Sequence, residues 1–179
     1  MGTKRIIFHV DCDYFFAQIE EVRKPELKEK PVVVCVYSGR TIDSGAVGTA
    51  NYHARKLGIH SGMPIFLAKK KANKDTVFLP VDLKYYAGVS EKIMSILKSF
   101  SDKFEKTSVD EAFIEVTQKC NGDYSKVKSL ALKVKKKIFD EVNSNLSSLI
   151  TENILRNHIT KRIDITISTY GLGLIPHIC

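Results

Sequence analysis

The sequence has little cysteine, and its cysteines are too widely spaced to suggest a metal site. Four cysteines occur in 179 residues, and none of them lies in a C-x-x-C motif. Their scattered positions favour reduced thiols in a cytosolic protein over a zinc site or a framework of disulfide bonds. The cysteines are Cys12, Cys35, Cys120 and Cys179.

The start of the sequence lacks a long hydrophobic run. The apolar stretch that follows Arg5 is short, and His9 and Asp11 interrupt it. A membrane-spanning helix needs about 20 predominantly apolar residues, and a signal peptide contains an uninterrupted apolar core. We therefore expect neither a signal peptide nor a membrane anchor, no membrane partner, and a cytoplasmic location.

Acidic residues are outnumbered by basic ones. The chain has 28 Lys and Arg against 20 Asp and Glu, which gives a formal net charge of +8 at pH 7. This excess favours a polyanionic partner, most often nucleic acid, because each neutralised phosphate releases condensed counterions. Charge alone does not identify the partner, since many soluble proteins are basic. Hydrophobic residues make up 44% of the sequence, which indicates a globular rather than a disordered protein.

Hydrophobic periodicity predicts a mixture of helices and strands. Apolar residues recur every three or four positions over residues 83–100 and 126–141, as in amphipathic helices. Further helices are predicted over residues 14–22, before Gly58, and from Pro64 as a first helical position. Short β-branched or alternating runs predict strands at residues 6–10, 32–37, 104–108, 112–116 and 163–167.

The order of these elements predicts an α+β fold. Without residues 24–82, the order is strand, helix, helix, strand, strand, helix, strand. This order resembles a ferredoxin-like βαββαβ sheet with a small α/β insertion after its first helix. In such a sheet the first strand lies beside the central hairpin. Asp11 is therefore expected near Asp110 and Glu111, although they are distant in the sequence.

These three acids have the chemistry of a metal-dependent phosphoryl-transfer site. Phosphoryl transfer requires charge neutralisation and in-line positioning, and a pair of divalent ions supplies both. Magnesium prefers oxygen ligands and keeps several waters, so a few carboxylates and the substrate phosphates suffice. Any one acid alone is better explained as an ordinary turn residue, whereas the three together favour a metal site. Asp13 is expected to face away from Asp11 and is not counted among the metal ligands.

The acids lie within longer sequence motifs. The acidic motifs are Asp11-Cys12-Asp13-Tyr14-Phe15-Phe16-Ala17-Gln18, followed by Glu20-Glu21, and Ser108-Val109-Asp110-Glu111-Ala112. Between them are Pro31-Val32-Val33-Val34, Ser44-Gly45-Ala46-Val47, Thr49-Ala50-Asn51-Tyr52-x-Ala54-Arg55 and Gly62-Met63-Pro64. Together they resemble the motifs of Y-family (lesion-bypass) DNA polymerases of the archaeal polymerase IV type. The resemblance covers roughly residues 4–141, with the motifs in the family's order.

The resemblance implies roles for the acidic residues. Asp11 and Asp110 would bind two Mg²⁺ ions, and Glu111 would complete the metal site at the primer 3′ hydroxyl. The main-chain carbonyl of Cys12 would be a further metal ligand, which accounts for a cysteine between two acids.

The resemblance also implies a nucleotide-binding set formed by Phe15, Phe16, Thr49, Tyr52 and Arg55. Phe16 would be the steric gate, because a flat ring beneath the sugar leaves no room for a 2′-hydroxyl. Tyr52 and Arg55 are three positions apart, so a short helix would present both to the triphosphate. From the pattern alone, Phe16 is better explained as a core residue, and a solvated Arg55 is an equal alternative.

The family implies a DNA-directed DNA polymerase that inserts deoxynucleotides opposite damaged bases. Residues 1–23 and 83–179 would form its palm, and residues 24–82 its fingers. The expected partners are primer-template DNA and dNTP, with a sliding clamp in full-length members, and the chain is expected to be a monomer. Two alternatives stay open. One is a catalytically inactive palm-fingers remnant that binds DNA or nucleotide without turnover, and the other is a cyclase-type enzyme, although such enzymes lack the fingers motifs.

The last part of the sequence departs from the family. A polar stretch over residues 143–148 is longer than the usual link, and it either leads into a helix over 149–156 or stays loose. After Ile167 the family continues as a strand and then a helix opening with an Asn-Lys pair, whose lysine contacts the triphosphate, before its thumb and little-finger domains. Residues 168–179 do not match that pattern. We expect a truncated or frameshifted gene product with weak or distributive activity.

Overall fold

The computed structural model describes residues 5–144 and 163–170. In chain order the strands are β1 (Arg5–Cys12), β2 (Val32–Tyr37), β3 (Gly45–Ala50), β4 (Val77–Pro80), β5 (Lys103–Lys106), β6 (Glu111–Glu115) and β7 (Ile163–Tyr170). The α-helices are α1 (Phe15–Arg23), α2 (Tyr52–Lys56), α3 (Ile65–Lys71), α4 (Leu83–Ser99) and α5 (Val127–Ser144). Short 3₁₀ helices cover Pro25–Leu27 and Tyr124–Lys126.

The chain divides into two compact units. The first contains Met1–Cys12 and Gly88–Cys179, and the second contains Asp13–Ala87. These boundaries differ from the predicted domain limits at residues 23 and 82, because α1 makes its contacts with β2 and β3 inside the second unit. The residue limits of a palm and a fingers domain remain a prediction.

The first unit is built on a four-stranded sheet with the order β5-β6-β1-β7. Each neighbouring pair of strands is antiparallel. With helices before β5 and between β6 and β7, this is the order of a ferredoxin-like βαββαβ sheet, and the predicted α+β fold is confirmed. The last strand extends beyond the predicted residues 163–167 to Tyr170, which pairs with Arg5.

Alternation along β1 separates apolar from polar side chains. Ile6, Phe8 and Val10 are fully buried, whereas His9 and Asp11 point to the other face and are only partly buried. Burial of each large apolar side chain contributes about 1.5–3 kcal/mol. Other buried apolar side chains of this unit include Leu97, Ala112, Ile114, Val134 and Ile138. The core thus fixes the strand and leaves its acidic residue accessible.

The second unit contains a three-stranded sheet with the order β3-β2-β4. Strand β2 pairs antiparallel with β3 and parallel with β4. Neither strand flanking β2 is predicted from the sequence, because β3 consists of small residues and β4 is short and ends in Pro80 at the edge of the sheet. The core consists of Val33, Cys35, Val47, Ala50, Ala54, Ile59, Met63, Ile65 and Ala68.

The predicted helices are present with small shifts at their ends. Helix α1 begins at Phe15, after Tyr14 at the N-cap with a left-handed φ of 36°. Pro64 is the N-cap of α3 rather than its first helical residue, because its ψ of 137° is extended. This corrects the predicted start of that helix by one residue.

Helix α5 runs to Ser144, past its predicted end at residue 141. The predicted helical extension over residues 149–156 and the tail over 171–179 lie outside the described part of the chain. Within the described part, no helix combines the length and the apolar character needed to cross a membrane.

Candidate active site

Two of the three predicted metal-binding acids lie opposite each other on paired strands. In the antiparallel register of β1 and β6, Asp11 is the partner of Glu111. Asp110 directly precedes β6, and its carbonyl oxygen accepts a hydrogen bond of 3.0 Å from the backbone N–H of Cys12. The sheet therefore brings Asp11 close to Asp110 and Glu111 in the main chain, as the sequence predicts.

The turn between β5 and β6 holds Asp110 through short-range hydrogen bonds. The backbone N–H groups of Thr107 and Ser108 donate to the carbonyl of Glu111 at 3.1 and 3.2 Å. The Ser108 hydroxyl donates to Asp110 Oδ1 at 2.5 Å and accepts from the Asp110 N–H at 3.2 Å. These bonds close the turn and direct one carboxylate oxygen of Asp110 toward it.

Glu111 has a partner, His9, that is not among the residues predicted from the sequence. His9 lies two residues before Asp11 on β1, and its Nε2 contacts Oε1 of Glu111. The His9 ring also stacks on its register partner Phe113, with ring centroids 4.5 Å apart and 15° between the planes. A signal for this role was available in the sequence, because positions i and i+2 of a strand share a face.

The buried thiol of Cys12 is unsuited to binding magnesium, which leaves its backbone carbonyl as the possible ligand. The residue is 3% exposed. Burial, and then the charges of Asp110 and Asp11, raise the pKa of the Cys12 thiol to about 12. A neutral, buried thiol is a poor ligand for a hard cation such as magnesium. The carbonyl oxygen is therefore the donor of Cys12 whose chemistry suits the predicted metal.

The donor set suits magnesium, although the side chains do not form an assembled metal site. The three acids provide carboxylate oxygens, which Mg²⁺ prefers. Within residues 5–144 and 163–170, however, no group of three or more His, Cys, Asp and Glu side chains is arranged to hold a metal ion. The Asp110 carboxylate contacts Ser108, and the Glu111 carboxylate contacts His9. A shared ion would therefore require a side-chain rearrangement among these acids.

The second unit carries Tyr52 and Arg55 on α2. The helix is capped by Asn51, whose side-chain oxygen accepts from the backbone N–H of Ala54 at 3.0 Å. Arg55 Nε donates to the carbonyl of Ala50 at 2.9 Å. This bond holds the base of the guanidinium group and leaves its Nη atoms to make other contacts.

The carboxylate of Asp13 receives both of these side chains. Tyr52 Oη contacts Asp13 Oδ2, and Arg55 Nη2 lies 3.4 Å from Asp13 Oδ1. The Tyr14 ring meets the Tyr52 ring edge-on, with centroids 5.3 Å apart. Arg55 Cζ lies 5.1 Å from the Tyr52 centroid and 5.8 Å from the Tyr14 centroid. The shared contact places Tyr52 and Arg55 on one face, as predicted, and adds Asp13, to which sequence reasoning gave no role.

Phe15 and Phe16 are adjacent on α1 but have different environments. Phe15 is buried, with 3% of its surface exposed. Phe16 is partly exposed and stacks on Tyr86, with centroids 4.7 Å apart and 17° between the planes. Thr49, the remaining predicted nucleotide-binding residue, is partly exposed on β3, where it pairs with Val34. Phe16 and Thr49 are thus accessible to a ligand, whereas the Phe15 ring is not.

Helix α1 also carries two buried glutamates. Glu20 accepts a hydrogen bond of 3.0 Å from Tyr86 Oη. Glu21 accepts one of 2.8 Å from Asn51 Nδ2 and one of 3.4 Å from Tyr14 Oη. Burial raises the pKa of Glu21 to about 7, against the opposing effect of the hydrogen bond from Asn51. Glu21 therefore connects Tyr14 with the residue that caps α2.

Comparison with known sequences identifies the family. The model of the family described as impB/mucB/samB matches residues 10–168. DNA polymerase IV of Nitrosopumilus maritimus is 52% identical over 157 residues, which cover 87% of this chain and 43% of that protein. DNA polymerase IV of Metallosphaera sedula is 46% identical over 171 residues, which cover 95% of this chain and 47% of that protein.

The solved structures that resemble this chain are also DNA polymerases of this kind. The insertion ternary complex of Dbh DNA polymerase has a TM-score of 0.73 and 41% identity, covering 92% of this chain and 42% of that chain. DinB from Sulfolobus solfataricus has a TM-score of 0.74 and 39% identity, with the same coverage of 92% and 42%. This chain thus spans less than half the length of these relatives. It belongs to the impB/mucB/samB family, and its α+β fold matches the palm and fingers of the Y-family DNA polymerases.

Proposed function

We propose that this chain is the catalytic part of a translesion DNA polymerase. It would add deoxynucleotides from dNTP to a primer 3′ hydroxyl by two-metal nucleotidyl transfer. The observation that carries the proposal is the placement of Asp11, Asp110 and Glu111 where β1 and β6 pair, in a chain of this family. The net charge of +8 is favourable for binding nucleic acid.

In this proposal the three carboxylates and the Cys12 carbonyl hold two Mg²⁺ ions. The ions would neutralise phosphate charge and activate the attacking hydroxyl. Glu111 would bind on the side of the primer 3′ hydroxyl. Strand pairing holds the main chains of Asp11 and Glu111 opposite each other, so the backbone that carries these ligands is already in position. Such preorganisation lowers the cost of assembling the site.

The second unit would bind the nucleotide. Arg55 has a planar fork of N–H donors that matches phosphate oxygens, and Tyr52 and Thr49 add hydroxyl groups. Phe16 would act as the steric gate against a ribose 2′-hydroxyl. Its stacking on Tyr86 restricts the rotation of the ring, and a gate must be rigid to exclude one oxygen atom. The buried ring of Phe15 supports α1, so a nucleotide contact by Phe15 would involve its backbone.

The proposed ligands are primer-template DNA and dNTP. They fit the similarity to Dbh, whose solved forms include insertion ternary and post-insertion binary complexes. A monomeric state, a sliding clamp as partner of the full-length protein and a cytoplasmic location remain predictions. Because the chain spans less than half the length of its relatives, we expect weak or distributive extension by these residues alone.

Primer extension with Mg²⁺ tests this proposal. We expect dNTP incorporation that is lost in Asp110→Ala, because the substitution removes one of the three carboxylates. Asp75→Ala, at an exposed turn of the second unit, is the matched control and should leave extension unchanged. Extension that survives Asp110→Ala would reject the assigned site. Nucleotide binding without any extension in the unsubstituted chain would favour the non-catalytic remnant instead.

A further inference from the structure

We propose that the Asp13 carboxylate competes with a nucleoside triphosphate for the hydrogen-bond donors of Tyr52 and Arg55, so that the triphosphate must displace it. The inference rests on the proposed function, since it takes these two side chains as phosphate-binding groups. Asp13 would then set how tightly the chain binds a polyphosphate. Such a residue tunes affinity and is not a catalytic residue.

One carboxylate satisfies both donors. Tyr52 Oη contacts Oδ2 of Asp13, and Arg55 Nη2 approaches Oδ1 at 3.4 Å, so each donor has its own oxygen. Carboxylates and phosphates present the same kind of charged oxygen pair to hydroxyl and guanidinium donors. The chain therefore provides an internal substitute for the phosphate group that these side chains are proposed to bind.

The two donors differ in how completely Asp13 occupies them. A phenolic hydroxyl has one hydrogen, whereas a guanidinium group has five N–H donors. Arg55 can keep its Nε bond to the Ala50 carbonyl, at 2.9 Å, and still donate to both Asp13 and a phosphate. Tyr52 cannot donate its single hydrogen to two acceptors. Competition should therefore be strongest at the Tyr52 hydroxyl.

The position of Arg55 does not depend on Asp13 alone. The bond to Ala50 and the rings of Tyr14 and Tyr52 also hold the guanidinium group. The helix that carries both donors is capped by Asn51, which is fully buried. Loss of the Asp13 charge is therefore expected to release the donors without dismantling the site.

Charge decides the direction of the effect. An ion pair between partly exposed groups orders its members only weakly, and the Arg55 and Asp13 side chains are 42% and 18% exposed. Repulsion between the Asp13 carboxylate and a multiply charged polyphosphate at contact distance is the larger effect. We therefore expect Asp13→Asn, which keeps an acceptor oxygen but loses the charge, to bind tripolyphosphate about three- to tenfold more tightly.

Titration calorimetry on the full chain with inorganic tripolyphosphate, and then with a dNTP, tests the proposal. The gain from Asp13→Asn should shrink in a Tyr52→Phe background, because that background lacks the contested hydroxyl. Asp43→Asn is the matched control. It changes the net charge by the same amount at another surface ion pair, with Lys69, and should leave the affinity unchanged. Asp13→Ala is a second neutral variant, and the unfolding midpoint of each variant shows whether it is folded.

Three outcomes would overturn the proposal that Asp13 competes with the triphosphate. Weaker binding by the neutral variants would make Asp13 a positioning residue, unchanged affinity would remove any competition, and an equal gain from Asp43→Asn would make the effect one of net charge. Tripolyphosphate binding by Arg55→Ala distinguishes these three outcomes from a failure of the proposed function. If Arg55→Ala binds tripolyphosphate as the unsubstituted chain does, the triphosphate site itself is wrong. If binding depends on Arg55 but Asp13→Asn does not increase the affinity, only the proposed competition by Asp13 is rejected.

Discussion

The backbone N–H of Cys12 donates a hydrogen bond of 3.0 Å to the carbonyl of Asp110. This bond continues the β1–β6 pairing one step beyond the Asp11–Glu111 pair. It helps to fix the register of the two segments that carry the acids, because a slip of one residue would turn every side chain to the other face. The candidate metal site therefore depends on strand register and not on contacts within a long loop.

His9 is expected to control how Glu111 meets a metal ion. His9→Phe keeps an aromatic ring over Phe113 but removes the nitrogen that contacts Glu111. Partners of metal ligands typically change metal affinity or activity by about 10–100-fold when they are substituted. We expect the Mg²⁺ concentration for half-maximal extension to rise by a factor of that size. The Mn²⁺ affinity, measured by electron paramagnetic resonance, should fall to match.

Exposed His60 provides the control for this substitution. His60→Phe makes the same chemical change in the second unit and should leave both the extension and the Mn²⁺ affinity as they are. Equal metal responses of His9→Phe and the unsubstituted chain would show that the contact between His9 and Glu111 has no part in metal binding.

Substitution of Phe16 should affect nucleotide selection, whereas substitution of its neighbour Phe15 should affect stability. Phe16→Ala opens the space beside Tyr86 and should lower the preference for dNTP over NTP by about 10–200-fold, the range for a change in pocket size. Phe15→Ala removes a buried ring and should lower the free energy of unfolding by about 3–5 kcal/mol. Single-nucleotide incorporation and urea unfolding measure the two effects. Unchanged discrimination in a folded Phe16→Ala chain would refute the steric gate.

Glu21 should make the stability of the chain depend on pH. Its folded-state pKa is raised from 4.5 to about 7, so the folded chain binds this proton more tightly than the unfolded chain. The stabilisation is fully present below pH 4.5 and is lost as the pH rises through about 7. The magnitude corresponds to about 3 kcal/mol.

Glu21→Gln tests this pH dependence, because glutamine stays neutral and can still accept a hydrogen bond from Asn51. The unfolding free energy of the variant, relative to that of the unsubstituted chain, should increase steadily between pH 4.5 and about 7 in urea titrations. Exposed Glu26→Gln is the control. Parallel stability curves for Glu21→Gln and the unsubstituted chain would contradict the raised pKa.

Asn51→Ala should be strongly destabilising. The Asn51 side-chain oxygen accepts from the N–H groups of Val32 and Ala54, and its nitrogen donates to Glu21 and to the carbonyl of Lys30, all at 2.8–3.0 Å. Each buried polar group left without a partner costs about 1–3 kcal/mol, so a loss of at least about 3 kcal/mol is expected. Urea unfolding measures it.

Asn73→Ala is the comparison for this variant. The Asn73 side chain accepts hydrogen bonds from Asp75 and Thr76, but the residue is exposed. Water can replace these bonds, so we expect a loss within about 1 kcal/mol. Equal losses in the two asparagine variants would show that burial of Asn51 does not determine its contribution.

The sequence was sufficient to predict the sheet that carries the acids, because its strands and helices have strong periodicity. The short, mostly apolar run over residues 6–10 predicts β1, and the order of elements predicts that Asp11 approaches Asp110 and Glu111. Strands β3 and β4 were missed because small residues and a terminal proline carry no such periodicity. Their positions depend on pairing with β2, which is a tertiary interaction.

The partners of the candidate site residues could not be predicted in the same way. Sequence spacing places Tyr52 and Arg55 on one face of a helix, but Asp13 reaches them from a different segment of the chain. Likewise, His9 contacts Glu111 across a strand pair whose register the spacing alone does not determine. Hydrogen bonds between distant segments depend on the packed structure, so spacing indicates which side chains share a face but not which partners they contact.

Strand β1 is paired along both edges, with β6 on one side and β7 on the other. Amide hydrogens of such a strand exchange with solvent only when the sheet opens, whereas those near exposed side chains exchange through small local motions. The backbone of Asp11 should therefore exchange among the slowest of the described residues, while α2, with only five residues, should exchange sooner. The proposed metal ligands would then belong to a slowly opening part of the chain, and the proposed triphosphate ligands to one that can rearrange while the sheet stays closed.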